Sequence, residues 1–476
     1  MIQNNRKTKI VATVGPASNS LENLEKLYLA GVNVFRLNFS HGTQQQHLLV
    51  IENIKKINQK HKSNIGILAD LQGPKLRVDA IQNNAILLEE GRNIIVSTEE
   101  VLGTNEMISV TYPHLSQDIK LGESILIDDG KIELKVTKII NKTQIECVIE
   151  NGDILSSKKG FNLPDTEISI PSLTEKDIAD LDFIIQHHVD WVALSFVRKS
   201  EDIIDLRKRI AAQHGTQKII AKIEKPEAIK NIDSIIHDSD AIMIARGDLA
   251  VEVPMEEMPI IQKMIIEKCI DHARPVIIAT QVMESMIEAP RPTRAEITDI
   301  ANGVFDGADA MMLSAETSVG KYPVKVIQAM DKIILKTEEQ NKIYFKNLSP
   351  KKDSPTFLSD AVCYNACSIA EDVEATALLG MTYSGYTAFM LASYRPKSKI
   401  FILTSNPQLI YQLSLVWGVE VFFYDNFETT DKSIRDIIGV LKDAGKIQQD
   451  DIVINTASMP IKGRGRTNMI KITIVD

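Results

Sequence analysis

KIIAKIEKPEAIKNIDSIIHDSDAIMIARGD, residues 218–248, decides how the chain is read. KIIAKIE and AIMIARGD are short, apolar and rich in β-branched residues, and both end in charged groups. A helix-like stretch follows the first run, beyond the break at Pro226. A strand, a helix and a second strand imply parallel pairing. Six more apolar runs continue the rhythm: KIVATVG (9–15), NVFRLNFSHG (33–42), IGILAD (65–70), WVALSF (191–196), PVIIATQ (275–281) and ADAMMLSAE (308–316). One intervening helix, LENLEKLYLAG, ends at Gly31. Two others open with capping boxes, Thr174 with Asp177 and Thr293 with Glu296. Eight such units predict a (β/α)8 TIM barrel.

The rhythm breaks between Pro74 and Leu173. AILLEEG (85–91), NIIVST (93–98), MISVTY (107–112), SILIDDGKIELKVTKI (124–139) and TQIECVIENG (143–152) alternate at a period of two. Gly, Asn and Asp turns join them, and DDGK at Asp128–Lys131 signals a hairpin. This predicts an inserted all-β domain, a β-barrel lid over residues 74–171. The catalytic barrel is then expected over 1–73 and 172–340. After a polar linker, ATALLGM, KIFILTS, VEVFFYD and DIVINTA alternate with helical patterns, and MIKITIV follows them. The expectation is a C-terminal doubly wound α/β domain over 356–476.

The 476 residues carry a net charge of −9, with 44% hydrophobic and 25% charged side chains. An acidic chain argues against nucleic acid or an anionic membrane as a general partner. The first residues hold no long apolar stretch, and no apolar run reaches the length of a membrane span. The expectation is a cytoplasmic protein. Four cysteines are few for a disulfide scaffold, and Cys363 and Cys367 read as core. No G-x-x-x-x-G-K-[ST] occurs, so any nucleotide is held without a P-loop. The Gly463–Arg464–Gly465 run reads as a turn.

A barrel of this kind carries its chemistry where its strands end. Strand two ends in Arg36, Asn38 and Ser40, and strand three in Asp70. Strand five ends in Lys222 and Glu224, strand six in Arg246, Gly247 and Asp248. Thr280 ends strand seven, and Ser314 and Glu316 end strand eight. Residues two apart share a face. Polar groups in apolar strands are costly unless paired, so a plug of ion pairs is the plain alternative to a site. Glu224 and Asp248, on adjacent strands, suit Mg²⁺ or Mn²⁺. A structural Glu–Lys pair fits the same residues. No His or Cys accompanies them, which disfavours zinc. The amides of Gly247 and Asp248 suit an anion at a helix start. Arg36, Arg77, Lys199 and Lys222 would gather cations at the mouth, as a small polyanion requires. His41 reads equally as a structural histidine.

Across nearly its whole length, about residues 6 to 476, the chain resembles the pyruvate kinase family. The matching stretches include TKIVATVGPAS, NVFRLNFSHG, DLQGPKLR, LIDDGKIEL, KGFNLPDT, AKIEKPEAI, ARGDLAVE, ATQVMESM, PRPTRAE and LSAETSVGKYP. The resemblance implies phosphoryl transfer from phosphoenolpyruvate to ADP, giving pyruvate and ATP, with Mg²⁺ (or Mn²⁺). It implies that Lys222 stabilises the transferring phosphoryl group and the enolate oxygen, and that Glu224 and Asp248 hold the metal. Gly247, Asp248 and Thr280 match the grip on the substrate carboxylate. Thr280 also matches the path of the proton to C3, and Arg36 a phosphate contact. Asn38, His41, Arg77 and Lys199 match nucleotide contacts, and Asp129 of the insert a closing lid.

Relatives that need K⁺ hold it with residues matching Asn38, Ser40, Asp70 and the carbonyl of Leu71. They carry Thr and Glu where Leu71 and Lys75 stand here. The resemblance is therefore to the K⁺-independent bacterial members, with the Lys75 ammonium replacing the cation. TYSGYTA (382–388) resembles the family's effector loop, with Thr382, Ser384 and Thr387 as hydroxyl donors. Tyr383 stands where fructose-bisphosphate-regulated relatives often have Lys, which favours a sugar monophosphate or AMP. The family also implies a homotetramer. Two other readings remain: a Mg²⁺-dependent aldolase or lyase working through an enolate, and a non-catalytic metabolite sensor.

Overall fold

The computed structural model describes residues 6–345, 349–426, 428–460 and 465–476. The turn read at Gly463–Arg464 lies outside them. The chain opens with β1 (Lys9–Thr13), β2 (Val34–Asn38) and β3 (Gly66–Asp70). The insert follows, with β4 (Ala85–Leu87), β5 (Asn93–Ser97), β6 (Met107–Ser109), β7 (Ser124–Ile127), β8 (Ile132–Ile139), β9 (Gln144–Asn151), β10 (Ile154–Ser156) and β11 (Phe161–Asn162). Then come β12 (Trp191–Leu194), β13 (Lys218–Ile223), β14 (Ala241–Ala245), β15 (Val276–Ala279) and β16 (Ala310–Leu313). β1–β3 and β12–β16 close one barrel in the order β1-β16-β15-β14-β13-β12-β3-β2, with every pairing parallel.

Both expected capping boxes form. Thr174 and Thr293 each accept from the backbone three residues on, and Asp177 and Glu296 reach back to the cap amides. Strand side chains alternate between two apolar layers. Leu68, Trp191, Ile220, Met243 and Ile277 belong to one buried cluster, while Ile67, Val192, Ile219, Ile242 and Ile278 pack with the surrounding helices. This is why the strands read as continuously apolar: both faces are covered.

In the insert, β11-β7-β8-β9-β5-β6 form a six-stranded sheet, and β10-β4 a two-stranded ribbon. Single bridges Arg77↔Gly160 and Val78↔Val110 join the segment entering the insert to residues beside both edge strands. The DDGK hairpin forms between β7 and β8, with Asp128, Asp129 and Gly130 at φ of 53°, 58° and 84°.

The last part of the chain builds β17 (Ala377–Met381), β18 (Lys399–Thr404), β19 (Val419–Phe423), β20 (Ile452–Ala457) and β21 (Met469–Ile474), ordered β19-β18-β17-β20-β21. Only β21 runs antiparallel. Helices pack on both faces, Phe357–Asp372 on one and Thr430–Asp443 on the other. All four cysteines are free and buried. Among the described residues no helix is long and apolar enough to cross a membrane.

This domain covers the end of the barrel opposite the strand ends that carry charge. Leu415 joins the barrel's inner cluster, and Trp191 Nε1 donates to the Gln412 carbonyl at 3.0 Å. Asp190, 3% exposed, accepts from the Ile67 amide at 2.8 Å and from Gln408 Nε2 at 2.9 Å. Burial pushes its carboxyl up to about 8, with the Ile67 amide opposing. The folded state then binds this proton over a range where the unfolded chain has lost it, so stability falls as pH rises toward 8. We expect the wild-type unfolding free energy from urea titration to decline between about pH 6 and 8, by up to about 2 kcal/mol from this group. Asp190→Asn should remove that part of the slope. Equal slopes in the two proteins would show that Asp190 is ionised throughout.

Candidate active site

The barrel closes so that β2, β3, β12 and β13 are consecutive neighbours. Their C-terminal ends therefore face one another. Arg36 donates to Asp70 Oδ2 through Nε at 2.8 Å and NH2 at 2.6 Å, and to Thr13 Oγ1 through NH1 at 2.9 Å. Lys222 Nζ lies 2.8 Å from Glu224 Oε1, 3.2 Å from Asp70 Oδ1 and 2.7 Å from Ser195 Oγ. Glu224 Oε2 accepts from the Phe196 amide at 2.8 Å. The result is a continuous buried network, Thr13–Arg36–Asp70–Lys222–Glu224.

Burial alone would depress the Lys222 ammonium, but Asp70 and Glu224 outweigh it and hold it above the usual lysine range. Burial would raise Asp70, yet Lys222 and Arg36 hold it below the ordinary carboxylate value. Glu224 is raised, first by burial and also by the neighbouring Asp248 charge, with Lys222 opposing. Three carboxylates thus face two cations. A hard cation completes that balance, and the donors Glu224 and Asp248 are oxygens, as Mg²⁺ prefers. Among the described residues no group of three or more His, Cys, Asp or Glu gathers for a metal. The remaining ligands would be water and substrate.

Asp248 lies in the helix Arg246–Glu252, directly after β14. Gly247 N–H donates to Thr280 Oγ1 at 2.6 Å, so its amide is engaged here rather than open to an anion. Thr280 in turn donates to the Ala279 carbonyl at 2.6 Å. Thr280 and Gln281 both have positive φ, 65° and 52°. For a β-branched residue that conformation is an outlier. Arg246 holds it: its guanidinium donates to the carbonyls of both residues, and Asp299 anchors its far side at 2.7 and 2.9 Å. Arg246 therefore supports the site from behind.

A cleft of about 220 Å³ lies between this mouth and the insert. Arg77, Asp129 and Asp248 line it. Lys158, Lys159, Arg198 and Lys225 line it too, four cations that reading by strand ends did not pick out. Lys158 and Lys159 stand in the insert, far from any barrel strand in sequence. Of the expected site residues, Arg36, Lys222, Glu224, Gly247 and Thr280 stand in the barrel mouth outside this lining, and Asn38, His41 and Lys199 lie outside it too. Asn38 Oδ1 instead accepts from the Ser40 amide at 3.0 Å.

Several expectations change at this point. Asp70 is paired with Arg36 and Lys222, and the Leu71 carbonyl accepts from Ser195 Oγ at 2.8 Å. Lys75 is exposed and makes no ion pair among the described residues, so its ammonium does not stand in the Asp70 site. Just after the C-terminal loop, in the first turn of the helix Tyr386–Ser393, Thr387 is 2% exposed and shares a 2.7 Å hydrogen bond with Thr467, which turns its hydroxyl inward. Thr382 Oγ1 accepts from Gly385 N at 3.1 Å, and Ser384 is exposed. Ser195 was within reach of sequence reasoning, because it ends strand four as Asp70 ends strand three.

A family model described as pyruvate kinase, barrel domain, matches residues 5–327, and one described as pyruvate kinase, alpha/beta domain, matches residues 360–473. A pyruvate kinase of Geobacillus stearothermophilus is 42% identical over 472 residues, covering 99% of this chain and 80% of that protein. One from Staphylococcus epidermidis is 41% identical with the same coverage. The crystal structure of a pyruvate kinase from Cryptosporidium parvum superposes with a TM-score of 0.94 at 32% identity, covering 100% of this chain and 98% of that one. The barrel, its insert and the α/β domain occur here in one chain with the charged network at the barrel mouth, and the chain belongs to the pyruvate kinase family.

Proposed function

We propose that this chain transfers the phosphoryl group of phosphoenolpyruvate to ADP and then protonates the enolate, releasing pyruvate and ATP. The observation that carries the reading is the Lys222 ammonium, held charged by Asp70, Glu224 and Ser195 within the field of Asp248, which lines a cation-rich cleft. The bond from phosphorus to the enolate oxygen breaks as a bond to the ADP β-phosphate oxygen forms. C3 of the enolate then takes up a proton. Such a transfer needs positioning and charge neutralisation more than covalent chemistry.

Lys222 offers its ammonium to the bridging oxygen and the phosphoryl group, where negative charge develops. Arg36, fixed by Asp70 and Thr13, orients the phosphate. Arg77 and the cations of the cleft take the nucleotide phosphates, with Asp129 closing from the insert. Thr280 and the Asp248 amide hold the substrate carboxylate, which the Gly247 amide joins on exchanging its bond to Thr280 Oγ1 for the substrate, with the Thr280 hydroxyl on the proton's path. Glu224 and Asp248 would hold Mg²⁺ or Mn²⁺, which when bound neutralises phosphoryl and enolate oxygens.

In the same reading the enzyme is a cytoplasmic homotetramer, and a sugar monophosphate or AMP regulates it at Thr382 and Ser384. It works without K⁺. The pairing of Asp70 with two resident cations, Arg36 and Lys222, supports that independence from within the barrel. The test is pyruvate formation from phosphoenolpyruvate and ADP, followed with lactate dehydrogenase, with and without Mg²⁺ and in K⁺-free buffer. Turnover should need Mg²⁺ and change by less than about twofold on adding K⁺, because Arg36 and Lys222 already neutralise Asp70. Strong K⁺ activation of the wild type would defeat the K⁺ reading. Failure of ADP to bind at millimolar levels with Mg²⁺ would favour an enolate lyase.

A further inference from the structure

The loop after β12 touches more of the machinery than its sequence position suggests. Ser195 is 2% exposed. Its Oγ accepts from Lys222 Nζ at 2.7 Å and donates to the Leu71 carbonyl at 2.8 Å. Phe196 has φ of 55°, a left-handed conformation that a bulky residue keeps only where its surroundings over-determine it. Three contacts do so. Its amide donates to Glu224 Oε2 at 2.8 Å. Its carbonyl accepts from Ser172 Oγ at 3.0 Å. Its ring lies against Gly73, where an added Cβ would stand 2.7 Å from Cδ2. Two residues on, the Arg198 guanidinium donates to the carbonyls of Ile168 and Ile170.

Leu71–Gly73 is the strand of chain that leaves the barrel for the insert, and residues 168–172 bring it back. Within one five-residue loop, the stretch Ser195–Arg198 therefore grips both connections to the insert, and also the ammonium and the carboxylate that the reaction uses. We propose that Ser195 and Phe196 are positioning residues that couple the placement of the insert to the placement of Lys222 Nζ and the Glu224 carboxylate. Movement of the insert about its two connections displaces Leu71, Gly73 or Ser172, and the loop passes the displacement to both groups. The roles of Lys222 and Glu224 rest on the phosphoenolpyruvate reading above.

Two variants of the full chain test this. Phe196→Gly keeps the amide and carbonyl, tolerates the left-handed backbone, and removes the ring from Gly73. Ser195→Ala removes the bonds to Lys222 and Leu71. Mn²⁺ binding without substrates, read by electron paramagnetic resonance of free Mn²⁺, should weaken about tenfold in Phe196→Gly and stay within about twofold in Ser195→Ala. In both, kcat should fall about tenfold or more, with KM for phosphoenolpyruvate within about threefold. Phe196→Leu should restore most of the loss. Amide exchange over residues 71–77 should quicken in both variants. Unchanged linker exchange overturns the coupling, as does wild-type kcat in both variants. Should Phe196→Gly not fold, Ser195→Ala decides alone through kcat and exchange. A wild type that forms no pyruvate sinks the functional reading, while Mn²⁺ affinity and exchange still judge the loop.

Discussion

Lys222→Met should lower kcat by at least about 10³-fold while leaving the protein folded. The ammonium is the charge placed nearest to where the leaving oxygen develops its own, and in a buried site no water replaces it. Methionine keeps the length of the side chain and removes the cation. The network should survive the change, because Arg36 still neutralises Asp70, and Glu224 still accepts from the Phe196 amide. Glu224, already raised, can also take up a proton once its ammonium partner is gone. The lactate dehydrogenase assay and circular dichroism read the two halves of this expectation. Turnover within about tenfold of wild type would remove Lys222 from the reaction.

Asp70→Ala should have the largest effect on stability, about 3–5 kcal/mol. Asp70 is 1% exposed and is the one carboxylate shared by Arg36 and Lys222. Its removal takes away the carboxylate paired with Arg36 and leaves Lys222 paired with Glu224 alone among the described residues. The sign with pH follows from its depressed carboxyl. The stabilisation is fully present above the unfolded value near 4 and is lost as pH falls through the lower folded value. The gap between wild type and variant in urea should therefore hold from neutral pH down to about pH 4 and narrow below it. A loss under about 1 kcal/mol at neutral pH would mean that solvent, not Asp70, compensates the two cations. Activity should fall as well, since Arg36 loses the partner that orients it.

The barrel was legible because its strands are apolar on both faces and its helices announce their starts. Thr174 and Thr293 cap as their spacing requires. Lys222 and Glu224 were legible because a period of two places them on one face. Ser195 follows the same rule at strand four and needed only the rule's even application. Phe196 was not legible. What it contributes is a backbone amide in a left-handed turn and a ring against Gly73, and neither contact is written in the local pattern. Thr387 reads in the sequence as an available hydroxyl, whereas the fold places it in the first turn of a helix with Thr467, eighty residues on, against it. Lys75 looked like a cation aimed at Asp70 because the two are five residues apart, but the intervening Gly73, at φ of 67°, turns the chain out toward the insert.

The order of strands and helices, the insert, and the residue types at the strand ends are properties of the sequence alone, since local periodicity and burial write them in every segment. Which carboxylate neutralises which cation is not. Asp70 has four cations in reach of sequence reasoning, Lys75 and Arg77 within seven residues and Arg36 and Lys222 at other strand ends, and only barrel closure, in the order β13-β12-β3-β2, brings it to Arg36 and Lys222 and leaves Lys75 exposed along the cleft. Leu415 likewise fills the barrel's far end from a domain that sequence reading treats as separate. Coulomb energies between buried charges fall with distance in space, and only the closed fold sets those distances.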